Sequence, residues 1–290
     1  MNIALGQLIH SRVPTPIDQQ NVIRMNRDTL DSRAVLDLSQ PATITMPETN
    51  GRYMSLQIVS PNEEARIVTT PGEYRISEEE VGTRYAYIII RIFVDASNPA
   101  DIEAVNALQD QIGVEGGEGT LDIRNWNREQ GQTLADVLLL LASTLTDTSN
   151  FVGEPEEIAP LYQLLEMAFG WGSLPEEHLV AIPVTPENND GNTPHSLTVS
   201  NVPVDAFWSI SLYNAEGLFE QNHLERYTVN SYTAECNAHD SYTVNFGRCE
   251  DGRVNCLPIM EGWNYVVRLY EPRQEILNRT WTFPLPEPSQ

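Results

Sequence analysis

The sequence predicts a mainly β protein, with two jelly-roll-like antiparallel β-sandwich lobes and a helical linking segment between them. Three observations predict it. Apolar residues alternate or form short β-branched runs from Arg33 to Val94, the same signature returns after Leu179, and between the two the apolar spacing becomes helical. Short strands punctuated by Asn, Gly and Asp turns favour a sandwich or jelly roll over a parallel sheet. The resulting division is 1–96 for the N-terminal lobe, 97–178 for the linking segment and 179–290 for the C-terminal lobe. At 290 residues the chain is long enough for two cores.

In the first lobe the expected strands are Thr43–Met46, Arg52–Val59, Ala65–Thr69, Tyr74–Ile76 and Tyr85–Val94. Asn50-Gly51 and Pro71-Gly72 supply turns, where positive φ suits Asn and Gly. Pro99–Ile112 then sets Ile102, Val105, Leu108 and Ile112 at helical spacing behind an acidic first turn. A glycine-rich acidic break follows at Gly113–Gly119, then helices around Thr133–Leu145 and Pro155–Phe169. Strands resume at Leu197–Val199, Ala206–Tyr213, Tyr227–Val229, Tyr242–Phe246 and Tyr265–Tyr270. Alternation in AFWSISLYN puts Phe207, Ser209 and Ser211 on one face and Trp208, Ile210, Leu212 and Asn214 on the other, with Trp208 directed to the core.

Charge narrows the function classes. All 17 cationic side chains are arginine, against 41 acidic ones, for a net charge of −24. Such a surface repels nucleic-acid phosphates and anionic lipid headgroups, so neither nucleic acid nor membrane is an expected partner. Self-repulsion relieved by salt suggests a marine or halophilic setting; a base-composition bias would explain the missing lysines but not the excess acid. The longest apolar run, Val137–Ala142, is far short of a membrane span. MNIALGQLIHSRVPTP has neither a basic n-region nor a proper h-region, so the expected location is cytoplasmic, a removed signal leaving no trace. Cys236, Cys249 and Cys256 lack the paired short spacings of a zinc site. Cys249 and Cys256 flank the turn-like stretch Glu250–Arg253, which suits a hairpin disulfide or two free thiols. No cofactor motif and no metal-ligand pair is present.

Family resemblance enters with particular blocks. RMNRDTLDSRAVLDL, TITMPETNGRYMSLQ, PGEYRI, VGTRYAYIIIRIFVD and NALQDQI resemble domain-of-unknown-function family 1254. VPVDAFWSISLYNAEG, NHLERYTVNS, NAHDSYTVNFG, NCLPIMEGWNYVVRLYEPR and TWTFPLP resemble its usual companion, family 1214. The resemblance implies paired jelly-roll-like sandwiches and little about function. Asp31 stands where the first family favours tyrosine, and His239, Asp240 and Ser241 where an Asp-Gly-Ser turn is usual.

The candidate site residues come from polar density beside strands. Arg27 and Asp28 precede one, and an arginine fork can orient an anionic or polyhydroxyl ligand; the alternative is a turn capped by Asp28 with Arg27 in an internal ion pair. Arg52 and Tyr53 offer the same choice. Arg91 and Arg268 sit among apolar residues and call for buried carboxylate partners. Trp263 precedes a strand and could stack on a sugar ring. His223 and His239 lie in loops, where functional residues concentrate, and His239, Asp240, Asp28 and His223 are the candidates for acid–base chemistry.

Three functions follow from different classes. The leading expectation is a protein binding a small-molecule or carbohydrate-like ligand in a cleft between the lobes, through Arg27, Arg52, Tyr53 and Trp263. The second is a hydrolase or lyase in the same cleft. The third is a capsid-like assembly protein forming homo-oligomers.

Overall fold

The computed structural model describes residues 5–20, 23–61, 65–120, 127–142 and 172–289. Among them the chain is mainly β, with several antiparallel sheets, none closed, and few helices. It divides into two compact units with interleaved segments. The first takes Met1–His10, Asp31–Arg91 and Leu108–Glu176; the second takes Ser11–Leu30, Ile92–Ala107 and Glu177–Gln290. Residues 11–30 and 92–96, expected in the N-terminal lobe, thus fall in the second unit, with 97–107 of the linking segment.

The first unit holds all or most of β1 (Ile9–His10), β2 (Thr29–Asp37), β3 (Ala42–Met46), β4 (Met54–Val59), β5 (Ala65–Val68), β6 (Gly72–Ile76), β7 (Tyr85–Phe93) and β8 (Gly113–Glu115). Five form a sheet in the order β1-β2-β7-β4-β5, and three form another, β6-β3-β8. Period-two patterning explains the faces: Ala42, Ile44 and Met46 of β3 are buried while Thr43 and Thr45 are only half-buried. The glycine-rich break begins as β8, paired to β3. Beyond it, Gly117 takes φ +73°, and a Cβ there would lie 2.7 Å from Leu36 Cδ2, so only glycine lets the backbone pass this close.

Two arginines show how the first unit handles charge. Arg84 grips the buried Asp37 bidentately, Nε to Oδ1 at 3.0 Å and Nη2 to Oδ2 at 2.8 Å. These hydrogen bonds, with one from the Ser39 amide, hold the Asp37 carboxyl well below the ordinary range. Arg91 corrects an expectation: its partners are not carboxylates but Gln57 Oε1 and the Gly172 carbonyl, both at 2.6 Å.

Helices are short. Glu78–Val81 (α1) opens with a Ser77–Glu80 capping box, and Pro99–Gln109 (α2) buries Val105 and Gln109. Arg128–Ala142 (α3) covers the described part of the second expected helix. The third, Pro155–Phe169, lies outside the described residues.

The second unit stacks two four-stranded sheets. One runs β14 (Cys256–Leu257), β13 (Ser241–Phe246), β10 (His195–Ser200), β16 (Glu287–Pro288); the other runs β12 (Thr228–Asn230), β11 (Trp208–Tyr213), β15 (Asn264–Tyr270), β9 (Leu179–Val184). Between them lies one core, with Leu197, Trp208, Ile210, Leu212, Phe246, Tyr265 and Val267 buried in it. Each such side chain contributes about 1.5–3 kcal/mol through removal from water. β11 and β15 are buried along their whole length. Their second face is covered by the segment before β2: the Tyr213 hydroxyl donates to the Met25 carbonyl at 2.8 Å, and Ile17 and Met25 pack on Tyr213, Phe219 and Val266. Because Ser209, Ser211 and Arg268 stand on that face, the polar residues of β11 and β15 are buried too. Gln274–Leu277 (α4) follows β15.

Candidate functional site

Polar groups on a buried face must find partners or raise the cost of folding. Arg268 Nη1 donates to Ser211 Oγ at 3.1 Å, and Nη2 donates to the Arg24 carbonyl at 2.7 Å and the Tyr213 hydroxyl at 3.0 Å. Burial alone would lower the Arg268 pKa, but Tyr213, Tyr270 and Asp28 around it raise it above that of an ordinary arginine, so it stays charged. Asp28 is the expected carboxylate, acting through charge rather than by a direct hydrogen bond.

Asp28 is 1% exposed. Its Oδ2 accepts from Ser209 Oγ at 2.6 Å and from the Tyr270 hydroxyl at 3.4 Å, and that hydroxyl itself accepts from Asn26 Nδ2 at 2.9 Å. Among the described residues Oδ1 has no hydrogen-bond partner. Burial pushes the Asp28 carboxyl above its ordinary pKa, partly offset by Arg268, Ser209 and Tyr270.

Asp28 also lines a cavity of about 310 Å³ that lies wholly within the second unit. The charged and aromatic part of its wall is Arg27, Asp28, Asp95, Glu225, Arg226 and Tyr227. Three stretches supply it: the turn before β2, the chain after β7, and the approach to β12. Arg27 Nη1 donates to the Thr15 carbonyl, and its guanidinium sits 5.4 Å from the centre of the Tyr227 ring, a cation–π arrangement that fixes the charge in place. Asp95 Oδ1 accepts from the Ser97 amide at 3.0 Å and its hydroxyl at 2.6 Å. Also in the wall, Asn255 donates Nδ2 to the carbonyls of Glu235 and Thr243 and accepts the Glu235 amide. Its neighbour Cys256, also in the wall, is disulfide-bonded to Cys249. Cys236 is a free, exposed thiol.

Of the residues singled out in the sequence, Arg27 and Asp28 are brought together here. His239 and Asp240 are exposed in a turn entering β13, at φ +66° and +52°, and His223 is exposed with Nε2 3.8 Å from Glu250 Oε1; none of the three lines the cavity. Trp263 is a correction: fully buried, it stacks on Phe246 with ring centres 5.1 Å apart and offers no face to a sugar. Arg52 and Tyr53 belong to the first unit, at the turn entering β4. A Ser–His pair does occur, His10 Nδ1 to Ser32 Oγ at 2.7 Å, but Ser32 is fully buried and the two are cross-strand neighbours of β1 and β2. Among the described residues no group of His, Cys, Asp or Glu is placed to hold a metal, and no helix is long and apolar enough to cross a membrane.

Family models match two regions. Residues 5–116 match "Protein of unknown function (DUF1254)", and residues 185–274 match "Protein of unknown function (DUF1214)". The chain joins a DUF1254 region to a DUF1214 region. The cavity draws on both, Arg27, Asp28 and Asp95 from the DUF1254 region and Glu225, Arg226 and Tyr227 from the DUF1214 region. No curated protein matches the sequence. Two solved structures share the fold. The VPA0106 protein from Vibrio parahaemolyticus has a TM-score of 0.70 at 16% identity, covering 92% of this chain and 90% of its own. A putative uncharacterized protein from Burkholderia cenocepacia has a TM-score of 0.51 at 15% identity, covering 94% of this chain and 80% of its own.

Proposed function

We propose that the second unit binds a small polar organic molecule in this cavity. The observation that carries the reading is Asp28, a buried carboxyl in the wall whose Oδ1 lacks the partner that buried polar atoms ordinarily have. Arg27 supports it, because one of its five N–H donors is committed to Thr15 while its charge is pinned against Tyr227. A cavity of about 310 Å³ is at the small end of ligand pockets, which suits a molecule of monosaccharide or dipeptide size. The test is calorimetric titration of the full chain with a panel of sugars, sugar acids, amino acids and small peptides. Binding that weakens about tenfold or more in Arg27→Met, a loss fitting a charge-assisted hydrogen bond, is the expected result. If no member of the panel binds, or binding is unchanged in that variant, the reading is wrong.

The hydrolase or lyase reading has one observation in its favour. Oδ2 of Asp28 already accepts two hydroxyl hydrogens, so a proton taken up by this carboxyl goes to Oδ1, making an acid of the kind general acid catalysis requires. Turnover of a bound compound that disappears in Asp28→Asn, with binding retained, would establish it; binding without turnover would remove it.

A further inference from the structure

The wall of the cavity carries charges of both signs. Arg27 and Arg226 face it together with Asp28, Asp95 and Glu225. Elsewhere four arginines are paired with acids: Arg33 holds Asp31, Arg84 holds Asp37, Arg253 holds Asp251 and Arg273 holds Asp205. Among the described residues none of the five cavity groups forms an ion pair with another, although all surround one small space. Opposite charges that surround one cavity without pairing with each other are the complement of a ligand that carries both.

Resting on the ligand reading above, we infer that the cavity takes a small zwitterion, an amino acid or short peptide with free amino and carboxylate ends, rather than a neutral carbohydrate-like molecule. Its carboxylate pairs with the guanidinium of Arg27 or Arg226, its ammonium with the carboxylate of Asp95 or Glu225. Three physical arguments favour this class. A net charge of −24 repels free anions before they arrive, whereas a zwitterion carries no net charge. A cation without a carboxylate leaves the half-buried Arg27 desolvated and unpaired, which is costly. A neutral ligand displaces water from both signs of charge and returns no ion pair to either, so its hydrogen bonds must offset two desolvation terms.

The test uses the full chain and glycylglycine as probe, beside four analogues: N-acetylglycine with only the negative charge, glycinamide with only the positive one, N-acetylglycinamide with neither, and D-glucose. Titration calorimetry should find glycylglycine bound about tenfold or more tightly than each analogue, the loss of one charge-assisted contact. Arg226→Gln and Glu225→Gln, both exposed and safe for folding, should each narrow that preference, the first for the carboxylate end and the second for the ammonium end. If glucose or the uncharged amide binds as tightly as the dipeptide and loses affinity in Arg27→Met, the zwitterion inference fails while the ligand reading stands. If nothing in the set binds, this inference fails by itself, and the ligand reading is then decided by the wider panel.

Discussion

At the scale of single residues, Asp28 and Asp37 depart from ordinary carboxyl chemistry in opposite directions. A carboxyl beside a guanidinium usually titrates low, as Asp37 does under Arg84, but Asp28 is raised because burial outweighs Arg268, Ser209 and Tyr270. The sign of the pH effect follows. Folded Asp28 keeps its proton at higher pH than unfolded Asp28, so between the unfolded value of about 4 and the folded one the folded chain binds the extra proton. Its contribution to stability therefore falls as pH rises through that window. Asp28→Asn removes the slope. Thermal unfolding of wild type and variant across acid to neutral pH should give a melting difference that moves in the variant's favour as pH rises. A difference that stays flat would mean that Asp28 titrates like an exposed aspartate. Asp37 runs the other way: its stabilisation is full above the unfolded carboxylate range and is lost as the solution becomes strongly acid.

At the scale of elements, the cavity wall depends on β14, a strand of two residues paired to β13 over Asn245–Cys256 and Phe246–Leu257. The Cys249–Cys256 disulfide anchors it across a separation of seven residues, and closing so short a loop in the unfolded chain is worth about 2–3 kcal/mol. Urea unfolding should show a Cys249→Ser/Cys256→Ser double variant less stable than the oxidised wild type by about that amount, and reductant should erase the difference. Equal midpoints without reductant would show the bond to be absent in solution. Such a bond persists in oxidising compartments, which the cytoplasmic expectation does not provide. The sequence showed these elements unevenly. TITM and WSISLY alternate cleanly because one face of each strand meets a core, and both strands lie where expected. LVAIPV is a weaker strand signal because Pro183 interrupts the pattern; β9 tolerates it as an edge strand beside β15. Arg27 and Asp28 were legible from polar density before a strand. Tyr227, Asp95 and Glu225 were not, since the wall is assembled from stretches far apart in the chain and nothing local in each announces the others. A loop histidine beside an acid, as at His239 and Asp240, reads as chemistry in the sequence; in the structure the pair occupies two left-handed turn positions.

At the scale of the whole molecule, the charge balance governs how stability answers to solvent. Seventeen arginines cannot pair with 41 acids, and the excess of 24 negative charges repels itself in the compact state more than in the expanded one. Salt acts by shortening the range of that repulsion, from about 10 Å at 0.1 M to about 3 Å at 1 M. At neutral pH the melting temperature should therefore climb from dilute buffer to molar sodium chloride. Salt also strengthens apolar burial in any protein, so the rise alone does not identify repulsion as the cause. Acidity separates the two. Near pH 4.4, the isoelectric point given by the composition, net charge vanishes and repulsion with it, while apolar burial is unaffected. The expected outcome is a large salt-induced rise at pH 7 and a much smaller one near pH 4.4, followed by scanning calorimetry in the same salt series. Equal rises at the two pH values would assign the effect to apolar burial, and the acidic surface would then carry no adaptation to salt.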